Sequence, residues 1–392
     1  MSAKSLARHW GLDSSVVFLN HGSFGACPTQ VLEAQTALRR RLEAEPVRFF
    51  QHELEGLLDE ARESLAHFLG ATGDVLVYVP NATSGVNAVV RSLHFEPGDE
   101  ILITDHAYNA CRNAVEFVAA RSGAVVVVAN VPFPVHDPAD ITAAIVAAAT
   151  ARTRLALIDH ITSPTALVFP IADIVRALAS RGIDTLVDGA HAPGMVPLDL
   201  EDLGAAYYTG NCHKWLCAPK GAGFLHVRSD RQAGIVPTTI SHGANSSRRD
   251  RPRFQLLFGW VGTADPTPYL AVPAAVEFMA ALNPEGWPGV MAHNHKLAVA
   301  ARTEVGTMLG VPSSTPDHML GSMATIPLSD DPSPPTESGM NPLQRRLFAR
   351  HGIEVPIVIW PAPPGRMIRL SAQLYNDPGE YRILADALRA EL

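Results

Sequence analysis

The sequence predicts an α/β protein with a large domain, built on a mostly parallel sheet flanked by helices, and a smaller C-terminal α+β domain. Three observations predict this class. Short runs rich in β-branched residues alternate with Ala- and Leu-rich runs of helical length. The β-branched runs are apolar at successive positions, so both faces of each strand should be buried, as in parallel sheets. Apolar residues make up 47% of the 392-residue chain, which is enough for a large core.

Strands and helices alternate through the first half of the chain. Strands are predicted over 74–80, 100–106, 124–131, 154–161 and 183–191, and helices over 83–93, 109–123, 137–150 and 171–182. The helix over 83–93 should begin at a Thr/Ser cap. Because a helix separates each strand from the next, the strands should lie parallel in one sheet with helices on both sides.

The pattern changes near Pro266, where a second unit is predicted. Helices are predicted over 267–282 and 293–309, strands over 323–328 and 357–362, and a Pro/Ser-rich surface loop over 329–342. We expect three parts: an N-terminal arm over 1–25 that joins the small domain, the large domain over 26–265, and the small domain over 266–392.

Charge and cysteine content narrow the function classes. The net charge is −8 and no long basic run occurs, so nucleic acid is not expected as a partner. No apolar run has the length of a membrane span, and the N-terminus lacks an apolar signal core, so a cytoplasmic protein without a membrane partner is expected. The four cysteines lack metal-ligand spacing, so they are expected to be buried thiols and no metal site is expected.

Ligands of parallel α/β sheets lie beyond the carboxyl ends of the strands, so the residues that follow each predicted strand are the candidates for a binding site. The first strand delivers “NATSG” (81–85), whose free N–H groups, hydroxyls and helix N-terminus suit a phosphate. An ordinary capped helix start has the same pattern. The next strand delivers His106 and Tyr108, flat side chains that could cover a ring. A buried core histidine is the alternative for His106.

Two later strands deliver further polar groups. “DHITSPTA” (159–166) supplies the hydroxyls of Ser163 and Thr165. “LVDGAHAPG” (186–194) carries Asp188, a carboxylate that needs a cation or hydrogen-bond donors if it is buried. A structural ion pair is the alternative. Lys214 follows within “GNCHKWLCAPKGAGFLHV” (210–227), a segment that otherwise has the pattern of a buried one.

One chemistry accounts for these groups together. A lysine amine condenses with an aldehyde, and burial keeps the amine reactive by favouring its neutral form. A carboxylate beside a pyridine nitrogen keeps that nitrogen protonated, and a helix N-terminus holds a phosphate. Pyridoxal 5′-phosphate (PLP) is the cofactor that needs all three. The residues therefore predict a PLP-dependent enzyme.

The chain also resembles fold-type I PLP enzymes of the class V aminotransferase family, in particular the isopenicillin N epimerase-like branch. The likeness runs from Phe18 to Tyr375. It is carried by “NHGSFGACP”, “EPVRFF”, “NATSGVN”, “DHITSPTA”, “VDGAHAPG”, “HKWLCAPKGAGFL”, “GWVGTAD” and “IRLSAQLYN” in this order. Each stretch is weak alone, and their order and spacing make the resemblance specific.

The resemblance implies roles for the cofactor-binding residues. Lys214 would bond the cofactor aldehyde, Asp188 would pair with the pyridine nitrogen, and His106 would stack on the ring, with Tyr108 as second choice. The phosphate would be held by Ala82, Thr83, Ser84, Asn211 and His213, and the ring oxygen would be contacted by Ser163 and His191.

The resemblance also implies how substrate and subunits meet. Arg369 would clamp the substrate carboxylate, a bidentate task that suits guanidinium. Asn20 and His21 would line the substrate entrance. Thr263 would reach the phosphate of a neighbouring subunit, which implies a homodimer with shared sites.

The predicted reaction is removal of the α-proton from an amino acid or a related compound. The branch favours epimerisation, with Tyr108, His21 or a group of the neighbouring subunit as the second acid. β-Elimination by a C–S lyase and transamination are the alternatives. Persulfide chemistry through a C-terminal cysteine is not expected, because no cysteine follows Cys217.

Three other classes of protein fit the sequence less well. A nucleotide-binding protein would need a G-x-G-x-x-G or Walker loop after a strand, and “NATSG” is neither. A zinc hydrolase is suggested by the 16 histidines, but they are scattered, and those of “HNH” (293–295) lie in a predicted helix on different faces. A non-catalytic scaffold would not need both Lys214 and Asp188.

Overall fold

The structure is a computed structural model that describes residues 3–332 and 340–392, apart from the side chain of Lys4. Residues 333–339 of the predicted surface loop lie outside the described part. The strands of the described residues are numbered in chain order: β1 Val17–Phe18, β2 Leu76–Val79, β3 Glu100–Thr104, β4 Val125–Ala129, β5 Thr153–Asp159, β6 Asp184–Gly189, β7 Tyr207–Asn211, β8 Gly223–Val227, β9 Met323–Leu328, β10 Ile353–Glu354, β11 Ile357–Ile359 and β12 Arg366–Ser371.

The α-helices are numbered in the same way: α1 Ala3–Ala7, α2 His21–Phe24, α3 Thr29–Ala44, α4 Pro46–Arg48, α5 Leu54–Phe68, α6 Ala82–Ser92, α7 Asn109–Ser122, α8 Pro138–Ala148, α9 Ile171–Ala179, α10 Leu200–Leu203, α11 Arg253–Phe258, α12 Thr267–Leu270, α13 Val272–Ala281, α14 Gly286–Leu309, α15 Pro342–His351 and α16 Pro378–Glu391. A π-helical turn over Phe49–Glu53 connects α4 to α5. Within the described residues, no helix has the length and hydrophobicity needed to cross a membrane.

The large sheet has seven strands in the order β2-β8-β7-β6-β5-β3-β4. The neighbouring pairs from β7 to β4 are parallel, as the alternation of strands and helices predicts. β8 is antiparallel to both β7 and β2. The reason is local: residues 212–222 join β7 to β8 without a crossover helix, so the chain turns back beside the strand it has just left. Lys214 lies in this connection.

Both faces of the large sheet are buried, which explains the continuous apolar runs. In β3, Ile101 and Ile103 pack with residues of α6 and α7, whereas Leu102 packs with residues of α8 and α9 on the other face. The helices show the matching period: α9 buries Ile171, Ile174, Val175 and Leu178. The predicted fold class is confirmed in its central feature, a mostly parallel sheet between two layers of helices.

The C-terminal part contains a three-stranded antiparallel sheet in the order β11-β12-β9. α14 and α16 pack beside it around a separate apolar cluster that includes Leu19 of the N-terminal segment. β1 pairs in parallel with β10, which ties the N-terminal residues to this part of the chain. The boundaries at 25/26 and 265/266 stay predictions, and the pairing of β1 supports the assignment of the arm.

Two predicted helices differ from the structure. The helix expected over 267–282 is divided into α12 and α13 at Ala271. Pro273 explains the division, because it has no N–H to donate to the carbonyl four residues earlier. The helix expected over 293–309 begins earlier, at Gly286.

Candidate active site

The carboxyl ends of β5, β6 and β7 bring three polar side chains together. Asp159 pairs in register with Asp188, and Asp188 pairs with Thr209 on the other side. Both carboxylates are buried, each only 3% exposed. Because register partners point to the same face, the two carboxylates lie next to each other beneath the connection that carries Lys214.

Asp188 is held by two hydrogen bonds. Its Oδ1 accepts the backbone N–H of Ala190 at 3.0 Å, and its Oδ2 accepts the thiol of Cys111 at 3.0 Å. In the described part of the chain, no Lys, Arg or His forms an ion pair with this carboxylate. The structural ion pair considered from the sequence is therefore not present there. A buried carboxylate without a cation suits a ligand that brings a protonated nitrogen.

Asp159 is a site residue that the sequence analysis missed. Burial first, and the adjacent charge of Asp188 second, raise its pKa well above the usual range. Its carboxyl accepts the backbone N–H of Tyr108. A signal was present in the sequence: Asp159 closes the run “LALID” as Asp188 closes the run “TLVD”.

The N-terminus of α6 forms a cradle suited to an anion. The helix begins at Ala82, and its cap is Asn81, whose side chain accepts the backbone N–H of Ser84 at 2.9 Å. The predicted Thr/Ser cap is therefore wrong: the capping side chain comes from the first residue of “NATSG”. The early N–H groups of a helix have no acceptor within it, so Thr83 presents its N–H at this end.

Asn211 and His213 border the same cradle from the end of β7. The side-chain oxygen of Asn211 accepts the backbone N–H of Ala82 at 2.8 Å. His213 donates its Nδ1–H to the carbonyl of Ala222 at 3.0 Å, which leaves Nε2 as the free ring nitrogen. Burial lowers the pKa of His213 to about 4. The structure thus brings together the residues that the sequence assigned to a phosphate.

Lys214 is partly buried at the edge of this cluster. Its Nζ lies 3.1 Å from Nε2 of His191. Burial, followed by the charge of Arg369, lowers the pKa of Lys214 to about 7, whereas Asp188 opposes the shift. A large fraction of the amine is therefore neutral near neutral pH, the form that attacks a carbonyl carbon or accepts a proton.

Arg369 reaches the site from the middle of β12. It donates to the carbonyl and the hydroxyl of Ser163 at 2.8 and 3.0 Å, and to the hydroxyl of Ser23 at 3.1 Å. Its buried Nε has no hydrogen-bond partner among the described residues, and burial lowers the pKa of the guanidinium to about 10. A buried guanidinium with an N–H that lacks a partner is suited to bind an anionic group of a ligand.

Asn20 and His21 are buried behind the site, and their predicted place at the substrate entrance stays a prediction. His21 is fully buried, with Nε2 3.0 Å from the carbonyl oxygen of Lys214 and Nδ1 2.9 Å from the hydroxyl of Tyr375. It supports the backbone of Lys214 from behind. Asn20 is 7% exposed and bonds Glu354 and Ser23, so it stands behind the serine that contacts Arg369.

His106 is placed as the core histidine that the sequence left as an alternative. It has no exposed surface, and its Nδ1 lies 2.7 Å from the hydroxyl of Thr165. The rings of Phe133, Phe169 and Trp360 surround it. This burial does not favour stacking on a cofactor ring, and the predicted stacking role of His106 stays a prediction.

Tyr108 has the accessibility that His106 lacks. Its side chain is 45% exposed at the start of α7. Thr263 is also exposed, in the segment between α11 and α12. Its predicted contact with a neighbouring subunit stays a prediction.

Comparison with known proteins agrees with this geometry. The family model for class V aminotransferases matches residues 17–315. An isopenicillin N epimerase of Streptomyces clavuligerus is 38% identical, with 97% of this chain and 96% of that protein covered. A putative L-cysteine desulfhydrase of Oryza sativa subsp. japonica is 31% identical, with 96% and 84% covered.

A solved structure of a C-DES mutant, with glycine covalently linked to its PLP cofactor, has a TM-score of 0.81 and covers 96% of both chains. At 22% identity, this likeness confirms the fold class. The family match extends over more than half of the sequence, and the epimerase match extends over nearly all of it. The chain therefore belongs to the class V aminotransferase family, with the isopenicillin N epimerase-like likeness that its motifs indicate.

Proposed function

We propose that the chain is a PLP-dependent enzyme that removes the α-proton of an amino-acid-like substrate and acts as an epimerase of the isopenicillin N epimerase type. One observation carries the proposal: the amine of Lys214, with a pKa of about 7, lies beside His191 at the strand ends that also hold the buried Asp188. The 38% identity to an isopenicillin N epimerase, over nearly the full length of both chains, supports the reaction type.

The residues present fit PLP at three points. Asp188 is a buried carboxylate without a cation, as a protonated pyridine nitrogen requires. The N-terminus of α6, with Thr83, Ser84, Asn211 and His213 around it, would hold the phosphate. Lys214 would bond the aldehyde. When bound, the cofactor supplies an electron-withdrawing ring that accepts the charge left when an α-proton is removed.

Lys214 is the base in this proposal. A general base works best when its pKa lies near the working pH, and about 7 meets that condition. His191 and Ser163 would contact the ring oxygen. Positioned base catalysis typically contributes on the order of 10²–10⁴-fold.

Arg369 would hold the substrate carboxylate. Its guanidinium is fixed by Ser163 and Ser23, so its orientation is set before substrate arrives. The Nε without a partner and the reduced exposure of the group both favour a bidentate contact with an incoming carboxylate.

We assign the ring-covering position to Tyr108 instead of His106, because only Tyr108 has a free side-chain surface. Tyr108 is also the candidate for the second acid that epimerisation requires on the opposite face of the α-carbon. His21 is removed from that role by its burial behind Lys214.

A C–S lyase that eliminates a β-substituent is the second candidate. The observation that favours it is the 31% identity to a putative L-cysteine desulfhydrase over 96% of this chain. Both reactions begin with removal of the α-proton, so the residues described above serve either. Transamination shares the same first step and has no specific observation in its favour.

The decisive experiment incubates the PLP-loaded protein in deuterated water with isopenicillin N, L-cysteine and a panel of L-amino acids. Inversion with deuterium at the α-carbon identifies an epimerase, whereas sulfide and pyruvate from L-cysteine identify a lyase. Lys214→Ala should abolish exchange, and Lys296→Ala, at an exposed position of α14, is the matched control. Exchange that persists in Lys214→Ala would refute the role of the amine as base.

We further propose a homodimer in which Thr263 reaches the phosphate of the partner's cofactor. The segment around it is exposed and includes Val261, which is 40% exposed. A cavity lined by Phe50, Leu54, Trp260 and Tyr269 opens beside this segment. Apolar side chains at an exposed surface are typical of subunit interfaces.

A cytoplasmic location is also proposed. Cys27, Cys111, Cys212 and Cys217 are all buried and free, which suits a reducing compartment. Fractionation of source cells, followed by detection of the chain with an antibody, tests the location.

A further inference from the structure

Trp215, the residue after Lys214, makes a hydrogen bond that the proposed reaction does not use. Its indole Nε1 lies 3.3 Å from Nδ1 of His191. On the other side of the same imidazole, Nε2 lies 3.1 Å from Nζ of Lys214. Trp215 is 1% exposed and His191 is 3% exposed, so water does not compete for these contacts.

The chemistry of the three groups fixes the direction of both hydrogen bonds. An indole N–H can only donate, so Nδ1 of His191 must accept and cannot carry a hydrogen. A neutral imidazole then carries its one hydrogen on Nε2. That N–H points at the amine of Lys214, which can accept it only with a lone pair, as a neutral amine. An ammonium group has no lone pair to offer.

We propose that Trp215 is a positioning residue that acts through His191: its indole N–H selects the histidine tautomer whose Nε2–H donates to Lys214, and this contact favours the neutral amine. The importance of the device rests on the proposed role of Lys214, but the device itself involves only side chains of this chain. In the other tautomer the hydrogen would lie on Nδ1 of His191. Nε2 would then accept a hydrogen bond from an ammonium group, which favours the charged form of Lys214.

Other charged groups also shift the protonation of the Lys214 amine, and the contact with His191 adds to their effects. Arg369 favours the neutral form, whereas Asp188, Asp159 and Cys111 favour the charged form. For His191, burial first and the charge of Lys214 second lower the pKa well below its usual range, which agrees with a neutral imidazole. Replacing Trp215 alone changes none of these charges.

The test measures the protonation of Lys214 in the full-length chain without added cofactor. Trace acetic anhydride labels neutral amines, and mass spectrometry of the Lys214 peptide gives the extent of labelling at each pH. Trp215→Phe removes the indole N–H and keeps a buried aromatic ring. It should shift the labelling curve to higher pH, with roughly tenfold less label on Lys214 below the midpoint.

The matched control is Trp287→Phe. Trp287 is also buried, and its indole N–H also makes one hydrogen bond, to the carbonyl of Val276 at 3.0 Å. The Trp287→Phe variant should leave the labelling curve of Lys214 unchanged. An unshifted curve in Trp215→Phe overturns the proposal.

A double variant separates tautomer control from packing. In His191→Gln, the side-chain amide can donate to Lys214 and has no tautomer to select. Adding Trp215→Phe to this background should leave the labelling curve where His191→Gln alone puts it. An equal shift in both backgrounds would mean that Trp215 acts by burial alone, and the proposal would be wrong.

A measurement on the wild-type chain tests the proposal even if the variants do not fold. With ¹⁵N-labelled histidine, the ring nitrogen shifts report which nitrogen carries the hydrogen, and His191→Gln identifies the signal of His191. The proposal requires hydrogen on Nε2, and hydrogen on Nδ1 overturns it. If Lys214 failed to bond PLP while the labelling shift occurred, the proposed function would fail and this inference would stand.

Discussion

At the scale of single residues, the site depends on burying ionisable groups in a chosen protonation state. Burial favours the neutral form of Lys214 and of Asp159, and hydrogen bonds from Ala190 and Cys111 hold Asp188. The adjacent charge of Asp188 adds to the effect of burial on Asp159. The site therefore contains one acceptor for a cationic nitrogen and one amine ready to react.

The altered pKa of Lys214 predicts a dependence of stability on pH. Between about 7 and 10.5, the unfolded chain keeps a proton on this lysine that the folded chain has lost, so this group makes stability rise with pH. The cost of burying the charge is fully present below about 7. Lys214→Met removes that cost, and should stabilise the cofactor-free protein by up to a few kcal/mol in mild acid.

The advantage of Lys214→Met should shrink as pH rises toward 10.5, the usual lysine value. Melting temperatures of the two proteins at a series of pH values provide the check. Lys296→Met, at an exposed position, is the control and should show no such trend. A pH-independent difference at Lys214 would contradict a lowered pKa.

The two adjacent carboxyl groups should respond differently to the same substitution. Asp188→Asn removes the carboxylate that we propose pairs with the cofactor nitrogen, and should weaken PLP binding roughly 10- to 100-fold. Asp159→Asn replaces a carboxyl whose neutral form is favoured by burial with a neutral amide of the same shape, so binding should change little. Fluorescence titration with PLP measures both. Equal losses would show that Asp159 is ionised or contacts the cofactor itself.

At the scale of elements, close packing of α6 on the sheet positions the anion cradle. Gly85 faces Thr209 of β7, and a Cβ at Gly85 would collide with the threonine side chain. Gly25 similarly allows the N-terminal segment to approach the backbone of His213 and Lys214, and its φ of 71° is one that glycine adopts easily. The site thus forms where backbone segments lie closer together than they could if these glycines carried side chains.

Gly85→Ala should therefore push α6 away from β7. We expect a loss of about 1–3 kcal/mol in stability from overpacking, together with weaker PLP binding as the helix N-terminus moves. Gly56→Ala is the matched control, because Gly56 lies in α5 with no atom within 4 Å of the added Cβ. That change should stabilise the protein by roughly 0.5–1 kcal/mol. Denaturant unfolding compares the two, and a stable Gly85→Ala protein with full PLP affinity would contradict the packing argument.

At the scale of the whole molecule, the site joins parts of the chain that are distant in sequence. Arg369 comes from the C-terminal sheet, Lys214 from the connection between β7 and β8, and His21 from the N-terminal segment that pairs through β1 with β10. The proposed roles of Arg369 in substrate binding and of Lys214 in proton removal therefore require the two sheets to hold a fixed relation. The proposed contribution of Thr263 extends the same dependence to a second copy of the chain.

Mixing two inactive variants tests the shared site. Thr263→Asp should repel the phosphate of the partner's cofactor, and Lys214→Ala removes the base. If Thr263 serves the partner subunit, each mixed dimer has one intact site, and equal mixing should restore roughly a quarter of wild-type activity. Absence of recovery, with mixed dimers demonstrated by differential tagging, would place Thr263 in its own subunit's site or outside both.

Much of the fold and of the candidate site could be predicted from the order of residue types. Runs that are apolar on both faces predicted the buried sheet, and “NATSG”, Asp188 and Lys214 predicted a PLP site in a family that the comparisons confirm. Such predictions succeed because strand burial and the position of a strand's carboxyl end are local properties of the chain.

The tertiary structure decided what those patterns leave open. It placed His106 in the core, Tyr108 at the surface of the site and His21 behind Lys214, although all three have similar polar character in the sequence. It also brought Asp159 beside Asp188 and the indole of Trp215 to His191. These outcomes depend on strand register, side-chain direction and hydrogen-bond donors that meet only after the chain has folded. The sequence by itself therefore determined the fold class and the kind of chemistry, and the packed structure decided which side chain stands next to the reacting amine.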